Sequence, residues 1–228
     1  MRNKPTFWVS IALIVIGLAF ITYPSFKNWW ENAAHVATAR TYYYNASQLS
    51  QEEVETLLHR AYEHNDFIYR QHERNIFRFA EAAVLPYDYA EILCVNGVIA
   101  RLSIPIIALN LPILHGTCPE TLRQGVGHLE GSSLPIGGYG SHAAVTAHSG
   151  LNTRLFSRLH EMTVGDIFYV YVLDRRLVYQ VDQIIDIWPH EIHHLRIEPY
   201  SDLFTLITCT PIHVNTHRLL VRGVRFHD

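Results

Sequence analysis

Residues 203–222, LFTLITCTPIHVNTHRLLVR, decide how we interpret this chain. Two runs rich in apolar and β-branched residues flank a short polar segment with a proline and an asparagine, which is typical of antiparallel strands joined by a turn. If the turn spans residues 210–215, Cys209 is the last residue of the first strand and lies opposite Thr216.

This register pairs Ile207 with Arg218 and makes Arg218 the diagonal neighbour of Cys209 on one face of the sheet. Diagonal neighbours lie about 7 to 8 Å apart, within reach of a guanidinium group. The other nearby arginine, Arg222, falls opposite Leu203, and at about 3.4 Å per residue it lies about 20 Å from the thiol. The stretch therefore predicts a thiol beside the cation of Arg218, and such a nucleophile needs a base, usually a histidine.

Composition and charge limit what the chain can be. With 228 residues, of which 49% are hydrophobic and 17% charged, it can bury one substantial core. The net charge of -3 argues against nucleic acid as a partner. The three cysteines, Cys94, Cys118 and Cys209, form no Cys-x-x-Cys pair and leave at least one thiol free. A disulfide between Cys94 and Cys118 stays open.

Residues 1–25 predict a cytoplasmic stub followed by a transmembrane anchor. Residues 7–23 are almost entirely apolar and follow Arg2 and Lys4. Such a run suits a single membrane span, and its positive flank keeps the N-terminus in the cytoplasm. A cleaved signal peptide is the alternative, but the end of the run lacks a small-x-small cleavage site. We therefore expect a single-pass protein of the cell membrane, with the rest of the chain on the extracellular face.

Residues 26–88 predict a helical region. Ser50 and Glu53 have the spacing of a capping box at a helix N-terminus. A stripe of apolar side chains at helical spacing follows and should pack against the main domain. Its members are Val54, Leu57, Leu58, Ala61 and Tyr62.

Residues 89–228 alternate short β-rich runs with glycine and proline, which predicts a mainly β domain. The predicted strands span residues 90–95, 98–107, 143–147, 167–173, 176–187, 203–209 and 216–226. Short helices are expected at residues 117–125 and 151–160. Seven or eight strands with few helices favour a closed or nearly closed mixed β-barrel.

Fifteen histidines compete for the role of base beside Cys209. His148 ends a small, β-rich run and so lies at the rim of a sheet, where loops carry functional groups. His142 begins the same strand, and His128 lies in a glycine-rich loop. His213 and His217 flank the turn after Cys209. Spacing alone leaves the choice open.

Residues 190–194, HEIHH, match the His-Glu-x-x-His pattern of zinc proteases. That pattern needs a helix of several turns, yet Pro189 and Pro199 enclose this segment. We interpret it as a histidine-rich surface loop and predict neither a metal nor another cofactor.

Four segments, residues 127–135, 146–151, 205–211 and 215–221, together resemble the sortases, most closely the class C, pilus-assembly sortases of Gram-positive bacteria. The resemblance implies an eight-stranded sortase-type β-barrel and a catalytic triad of His148, Cys209 and Arg218. Three further residues of the matching segments, Thr208, His217 and Ser133, are candidate substrate-binding residues.

The resemblance also implies an activity. A membrane-anchored cysteine transpeptidase would cleave a Leu-Pro-x-Thr-Gly-like sorting signal through a thioacyl intermediate and join pilin subunits through a lysine isopeptide bond. Its partners would be pilins or surface proteins with a C-terminal sorting signal, and the acceptor lysine of another pilin. The alternatives are a sortase that anchors surface proteins to peptidoglycan cross-bridge amines, and an inactive accessory or binding protein.

One departure from the class C pattern concerns the segment that covers the site. Members of that class carry a lid with an Asp-Pro-aromatic motif, and this chain has no Asp-Pro dipeptide. Residues 86–88, Pro-Tyr-Asp, are the nearest approach, so the presence of a lid stays open.

Overall fold

The computed structural model describes residues 4–73, 88–150 and 155–226. The α-helices are α1 (Lys4–Ser47), α2 (Gln51–Glu73) and α3 (Pro119–Gln124). The strands are β1 (Ala100–Ile104), β2 (Leu109–His115), β3 (Val126–His128), β4 (Ser141–Thr146), β5 (Ile167–Val172), β6 (Arg175–Ile187), β7 (Asp202–Thr210) and β8 (His217–Arg225). Short 3₁₀ helices span Tyr89–Glu91, Pro105–Ile107, Leu159–Glu161 and Ile192–Leu195.

The eight strands form a closed barrel in the order β1-β2-β3-β4-β7-β8-β6-β5, and β5 returns to pair with β1. The β2–β3 and β4–β7 pairs are parallel, and the other neighbours are antiparallel. The predicted mainly β fold, an eight-stranded barrel with short helices, is confirmed.

Aromatic side chains fill one part of the barrel interior. Phe168, Tyr179 and Phe204 are buried and their ring centroids lie 5.3 to 5.7 Å apart. Gly223 on β8 makes room for them, because a Cβ atom there would lie 2.6 Å from the Phe168 ring. The barrel therefore packs tightly where β5, β6, β7 and β8 face one another.

The β-rich runs predicted most of the strands, but one predicted strand is absent and two observed strands were not predicted. Residues 90–95 form no strand: Asp88 caps a 3₁₀ helix through the Ala90 N–H, and Leu93 adopts a positive φ of 60°. Strands β2 and β3 were not predicted. Pro112 interrupts the apolar run of β2, and β3 has three residues, too few to show a period.

Helix α2 begins at the predicted capping box. The Ser50 N–H donates to Glu53 Oε2 at 2.8 Å, and the Glu53 N–H donates to Ser50 Oγ at 3.3 Å. Leu58 and Ala61 are buried against the barrel core, whereas Tyr62 at the edge of the stripe is 44% exposed. The predicted packing of the stripe on the main domain is confirmed.

Helix α1 also packs on the barrel. Tyr42 donates its hydroxyl hydrogen to the carbonyl oxygen of Ile99 at 3.1 Å and accepts from the Leu173 N–H at 2.9 Å. Burial raises the pKa of Tyr42 to about 12, so the hydroxyl stays protonated and can make both bonds.

Residues 7–23, for which the sequence predicts a membrane span, lie within α1, which continues past residue 25 without a break. Within the described ranges, no helix is both long and apolar enough to cross a membrane. The predicted transmembrane helix is therefore not supported by the structure.

Candidate active site

Cys209 lies near the end of β7, the strand between β4 and β8. It is directly opposite Arg218 of β8, and Thr210 is opposite His217. The predicted pairing of Cys209 with Thr216 is wrong by two positions, because the connecting turn spans residues 211–216 rather than 210–215. Directly opposed side chains have Cβ atoms about 4.5 to 5.5 Å apart, so Arg218 is closer to the thiol than the sequence predicts.

The shift by two positions preserves the predicted face, since side chains alternate with a period of two along a strand. The same shift places Arg222 opposite Thr205 instead of Leu203. The Arg222 guanidinium pairs with Asp182 at 2.5 Å, well away from Cys209 along β8. Arg218 is therefore the arginine beside the thiol.

The turn itself positions Arg218. Its Nη1 donates to the carbonyl oxygens of Asn215 and His217 at 3.2 and 3.0 Å. Backbone bonds from Val214 N–H and Asn215 N–H to the Pro211 carbonyl oxygen, at 3.0 and 2.9 Å, close the turn. One edge of the guanidinium is fixed by the turn, and its remaining N–H groups make no hydrogen bond to any described residue.

His148 follows β4 on the other side of Cys209. The parallel register ends with Thr146 beside Ile207, and the Ala147 N–H continues it by donating to the Ile207 carbonyl oxygen at 3.2 Å. Continuing one residue further brings His148 next to Cys209, and neighbouring strands lie about 4.8 Å apart. The His148 ring is exposed to solvent.

Ser149 is a positioning residue that the sequence analysis missed. Its hydroxyl donates to the Cys209 carbonyl oxygen at 2.7 Å and so ties the segment after β4 to β7. The Phe156 N–H donates to the His148 carbonyl oxygen at 3.0 Å from the other side. The position directly after His148 is the signal that could have identified it.

His148, Cys209 and Arg218 therefore occupy one row across β4, β7 and β8. By this register, the half-buried thiol of Cys209 lies between the His148 imidazole, which can donate and accept a proton, and the permanent cation of Arg218, whose other N–H groups bond no described residue. This arrangement suits nucleophilic attack on a carbonyl, proton transfer to a leaving amine and stabilisation of an oxyanion.

Of the competing histidines, His142 and His128 lie away from Cys209, whereas His213 and His217 lie in and beside the turn that follows it. His142 is opposite Leu203, at the other end of β7 from Cys209, and its ring bonds the Arg196 carbonyl oxygen and Thr205 Oγ1 at 2.8 and 2.7 Å. His128 is fully buried on β3. His213 lies in the turn with a positive φ of 75°.

The three candidate substrate-binding residues differ in exposure. Thr208 is buried and its hydroxyl donates to the Ala147 carbonyl oxygen at 2.9 Å. Ser133 is fully buried and its Oγ accepts from the His142 N–H at 3.0 Å. Neither hydroxyl is open to a peptide. His217 is half-buried at the rim, where its ring centroid lies 4.1 Å from that of Trp188.

Residues 190–194 form a turn and a 3₁₀ helix, Ile192–Leu195, instead of an α-helix that would place two histidines on one face. Within the part of the chain that the structure describes, no three His, Cys, Asp or Glu side chains are grouped to hold a metal ion. Cys94, Cys118 and Cys209 are all free thiols, so the disulfide left open by the sequence is not formed.

Two expectations fall partly outside the described residues. The predicted helix at residues 151–160 is described from residue 155 onward, and there the structure shows a turn and the 3₁₀ helix Leu159–Glu161. Residues 86 and 87 of the segment nearest to the lid motif lie outside the described ranges.

Comparison with known proteins agrees with this geometry. The sortase-domain family model matches residues 102–226. Among solved structures, sortase C1 of the group B Streptococcus pilus island 1 is 39% identical, with a TM-score of 0.76, over 86% of this chain and 93% of that chain. Sortase C-1 from Streptococcus pneumoniae is 36% identical, with a TM-score of 0.75, over 84% of this chain and 99% of that chain.

A curated relative, sortase A from Bacillus anthracis, is 28% identical over 160 residues, which are 68% of this chain and 73% of that protein. The chain belongs to the sortase family, whose members are cysteine transpeptidases. The predicted resemblance to class C sortases is confirmed by the structural neighbours.

Proposed function

We propose that this protein is a pilin-polymerising sortase. The observation that carries the proposal is the extent of the structural match to a pilus-island sortase. That match covers 86% of the chain, so it includes helical residues before the sortase domain at residues 102–226. A shared barrel alone would indicate the family, whereas a shared N-terminal region favours the pilus class.

In this proposal Cys209 is the nucleophile. Its thiolate attacks the threonine carbonyl carbon of a Leu-Pro-x-Thr-Gly-like signal, and the Thr–Gly amide bond breaks as His148 gives a proton to the glycine amine. A lysine amine of a second pilin then attacks the thioester and gives a proton to His148. The C–S bond breaks, the thiolate returns, and an isopeptide bond joins the two pilins.

Arg218 stabilises both tetrahedral intermediates. Each intermediate places a negative charge on the former carbonyl oxygen, next to the sulfur atom. The guanidinium edge that the turn leaves free supplies N–H donors and a permanent positive charge there.

The first test removes the nucleophile. We expect Cys209→Ala to reduce cleavage of a fluorogenic Leu-Pro-x-Thr-Gly peptide to background, because no thioester can form. Cys118→Ala is the matched control, since that thiol is exposed and lies outside β7. Circular dichroism should show an intact barrel in both variants. Cleavage by Cys209→Ala at the rate of the parent enzyme would refute the mechanism.

The second test separates polymerisation from anchoring. The similarity to a sortase A favours an alternative in which a peptidoglycan cross-bridge amine is the acceptor. The protein is incubated with a pilin that carries a sorting signal and its lysines, in the presence of a cross-bridge peptide amine. A ladder of covalent multimers supports polymerisation. Transfer to the cross-bridge amine alone supports the anchoring function.

We place this reaction on the outer face of the cell, because pilins and wall amines are found there. Protease added to intact cells should then digest the barrel as readily as it digests the barrel in lysed cells. Protection in intact cells would contradict this location.

A further inference from the structure

The end of the barrel opposite Cys209 carries a second open site. Strand β7 begins at Asp202 and β8 ends at Arg225, so both residues lie at that end. At about 3.4 Å per residue, Asp202 lies about 24 Å along β7 from Cys209. A ligand at this end would therefore not touch the row of His148, Cys209 and Arg218.

A cavity of about 440 Å³ opens there between the starts of β6 and β7 and the end of β8. Its lining includes three arginines, Arg175, Arg176 and Arg225, and one carboxylate, Asp202. A second cavity of about 440 Å³ shares residues 137–139 with the first and continues along α2. We call the first cavity the arginine groove.

Backbone and phenol groups already hold the carboxylate in the groove. Asp202 is buried, and its two oxygens accept from the Gly138 N–H at 2.8 Å and from the Tyr179 hydroxyl at 2.9 Å. Gly137 lets the loop come this close: it has a positive φ of 71°, and a Cβ there would lie 2.9 Å from Asp202 Oδ2. Three guanidinium charges against two carboxylates, those of Asp202 and of Asp174, which lies 4.0 Å from Arg175, leave the groove positive.

Arg225 supplies an unused donor. Its Nη1 is buried and has no hydrogen-bond partner among the described residues. The guanidinium lies over the Tyr179 ring, with Cζ 5.6 Å from the ring centroid, and it also interacts with the Tyr179 hydroxyl, but neither contact gives Nη1 an acceptor. A buried N–H of a charged group carries an unfavourable desolvation free energy when it has no acceptor. An oxygen atom bound in the groove would accept this hydrogen bond and offset that free energy.

We propose that the arginine groove binds an oxyanion, the phosphate or carboxylate group of a ligand separate from the sorting signal. A guanidinium donates two parallel hydrogen bonds to either group, which suits Arg225 on the groove wall. Arg175 lies at the rim with its side chain 39% exposed, where it pairs with Asp174 and donates through Nη1 to the Tyr62 hydroxyl. Its Nη2 faces no described acceptor and can bond the same anion from the solvent side.

The test measures binding and does not use transpeptidation, so its outcome is independent of the proposed function. Glycerol 3-phosphate is titrated as the phosphate probe and glutarate as the carboxylate probe into the ¹⁵N-labelled full chain. Ionic strength is held constant, since screening alone alters surface electrostatics. Glycerol is the uncharged control. Saturable shifts of the amides at residues 137–139 report the dissociation constant.

Two variants and one control make the test specific. We expect Arg225→Gln and Arg175→Gln each to raise the Kd about tenfold, the size expected for one charge-assisted hydrogen bond. Arg123→Gln on α3, an exposed arginine that pairs with Glu120, should leave the Kd unchanged. If Arg225→Gln fails to fold, Arg175→Gln decides the result.

Saturable binding of either probe with this pattern supports the proposal, and the probe that binds identifies the source of the oxyanion. The proposal is overturned if neither probe gives saturable shifts. It is also overturned if the Kd is the same in the parent protein and in every folded groove variant.

Discussion

At the scale of single residues, strand pairing and the adjoining turn together position Arg218 beside Cys209. Arg218 lies directly opposite Cys209, and two carbonyl oxygens of the turn, those of Asn215 and His217, fix its Nη1. A positive charge alone is not sufficient for this arrangement. The ammonium group of a lysine lacks the planar guanidinium fork that can bind the turn and still face the thiol.

We therefore expect Arg218→Lys to lower kcat/KM for peptide cleavage about 100-fold while the protein stays folded, as for loss of one oxyanion donor. Peptide-cleavage kinetics measure the loss of activity, and a thermal unfolding curve of the same variant shows whether it is folded. Arg222→Lys is the control, since that arginine pairs with Asp182 away from the thiol. Arg218→Lys activity close to that of Arg222→Lys would show that charge alone suffices.

At the same scale, the sequence pattern predicts that a thiol and an arginine share one face of a sheet but not how they pair, and spacing alone did not select His148 among the histidines. The thiol, the arginine and their common face follow from two alternating runs. The pairing register does not follow from these runs, because the sequence is equally compatible with a turn at residues 210–215 and one at residues 211–216. The backbone bonds to the Pro211 carbonyl oxygen distinguish the two, and they form only in the folded turn.

At the scale of the elements, β8 has to pass close to the aromatic interior. Gly223 faces the Phe168 ring and the Tyr179 Cβ atom and has no space for a methyl group. Its backbone φ is not positive, so the glycine is needed for its size and not for its conformation.

We expect Gly223→Ala to lower the free energy of unfolding by about 1 to 3 kcal/mol through overpacking. The neighbouring Val224 is 37% exposed, so Val224→Ala should change stability by about 0.5 kcal/mol or less. Urea unfolding of both variants measures the difference. Equal stability of the two would mean that the rings move aside at no cost.

Other elements show where sequence patterns are insufficient. The capping box of Ser50 and Glu53 identified the start of α2, because its bonds are local. The strand β3 could not be predicted, because it exists through pairing with β2 and β4 and not through its own three residues.

At the scale of the whole molecule, buried histidines lie where α2 packs on the barrel, since the rings of His64 on α2 and His128 on β3 have centroids 6.0 and 5.9 Å from that of Tyr89. His128 Nε2 faces the Ser133 carbonyl oxygen at 2.9 Å and so carries the hydrogen, while Nδ1 accepts from the Tyr89 hydroxyl at 2.6 Å. Burial lowers the pKa of His128 to about 3 and that of His64, on α2, to about 4. His115 stacks edge-on against Tyr89 in the same cluster.

These pKa values predict acid sensitivity. Above the ordinary histidine pKa of about 6.5, the imidazoles of His64 and His128 are neutral in both the folded and the unfolded state, so their protonation does not reduce stability. Below this pKa, His64 and His128 bind protons in the unfolded chain but stay neutral in the folded protein. The free energy of unfolding therefore falls as the pH drops from about 6.5 towards about 4. Urea unfolding at about pH 7.5 and about pH 5 should show the loss.

His64→Leu tests the cause of this loss. Neither ring nitrogen of His64 has a hydrogen-bond partner among the residues that the structure describes. Replacement should raise the free energy of unfolding at neutral pH by about 1 kcal/mol and reduce its dependence on pH. His59→Leu, on the exposed side of α2, is the control. An unchanged pH dependence in His64→Leu would exclude His64 as a source.

The closure of the sheet has a consequence for recognition. Because β5 returns to β1, each strand pairs on both sides over part of its length, and an extended peptide could add itself only beside described stretches that pair on one side, such as residues 182–187 of β6. Elsewhere on the barrel, a peptide would have to be bound through side chains and loops at the rim. Recognition of that kind depends on the identity of each peptide residue and so favours a defined sequence over any extended chain.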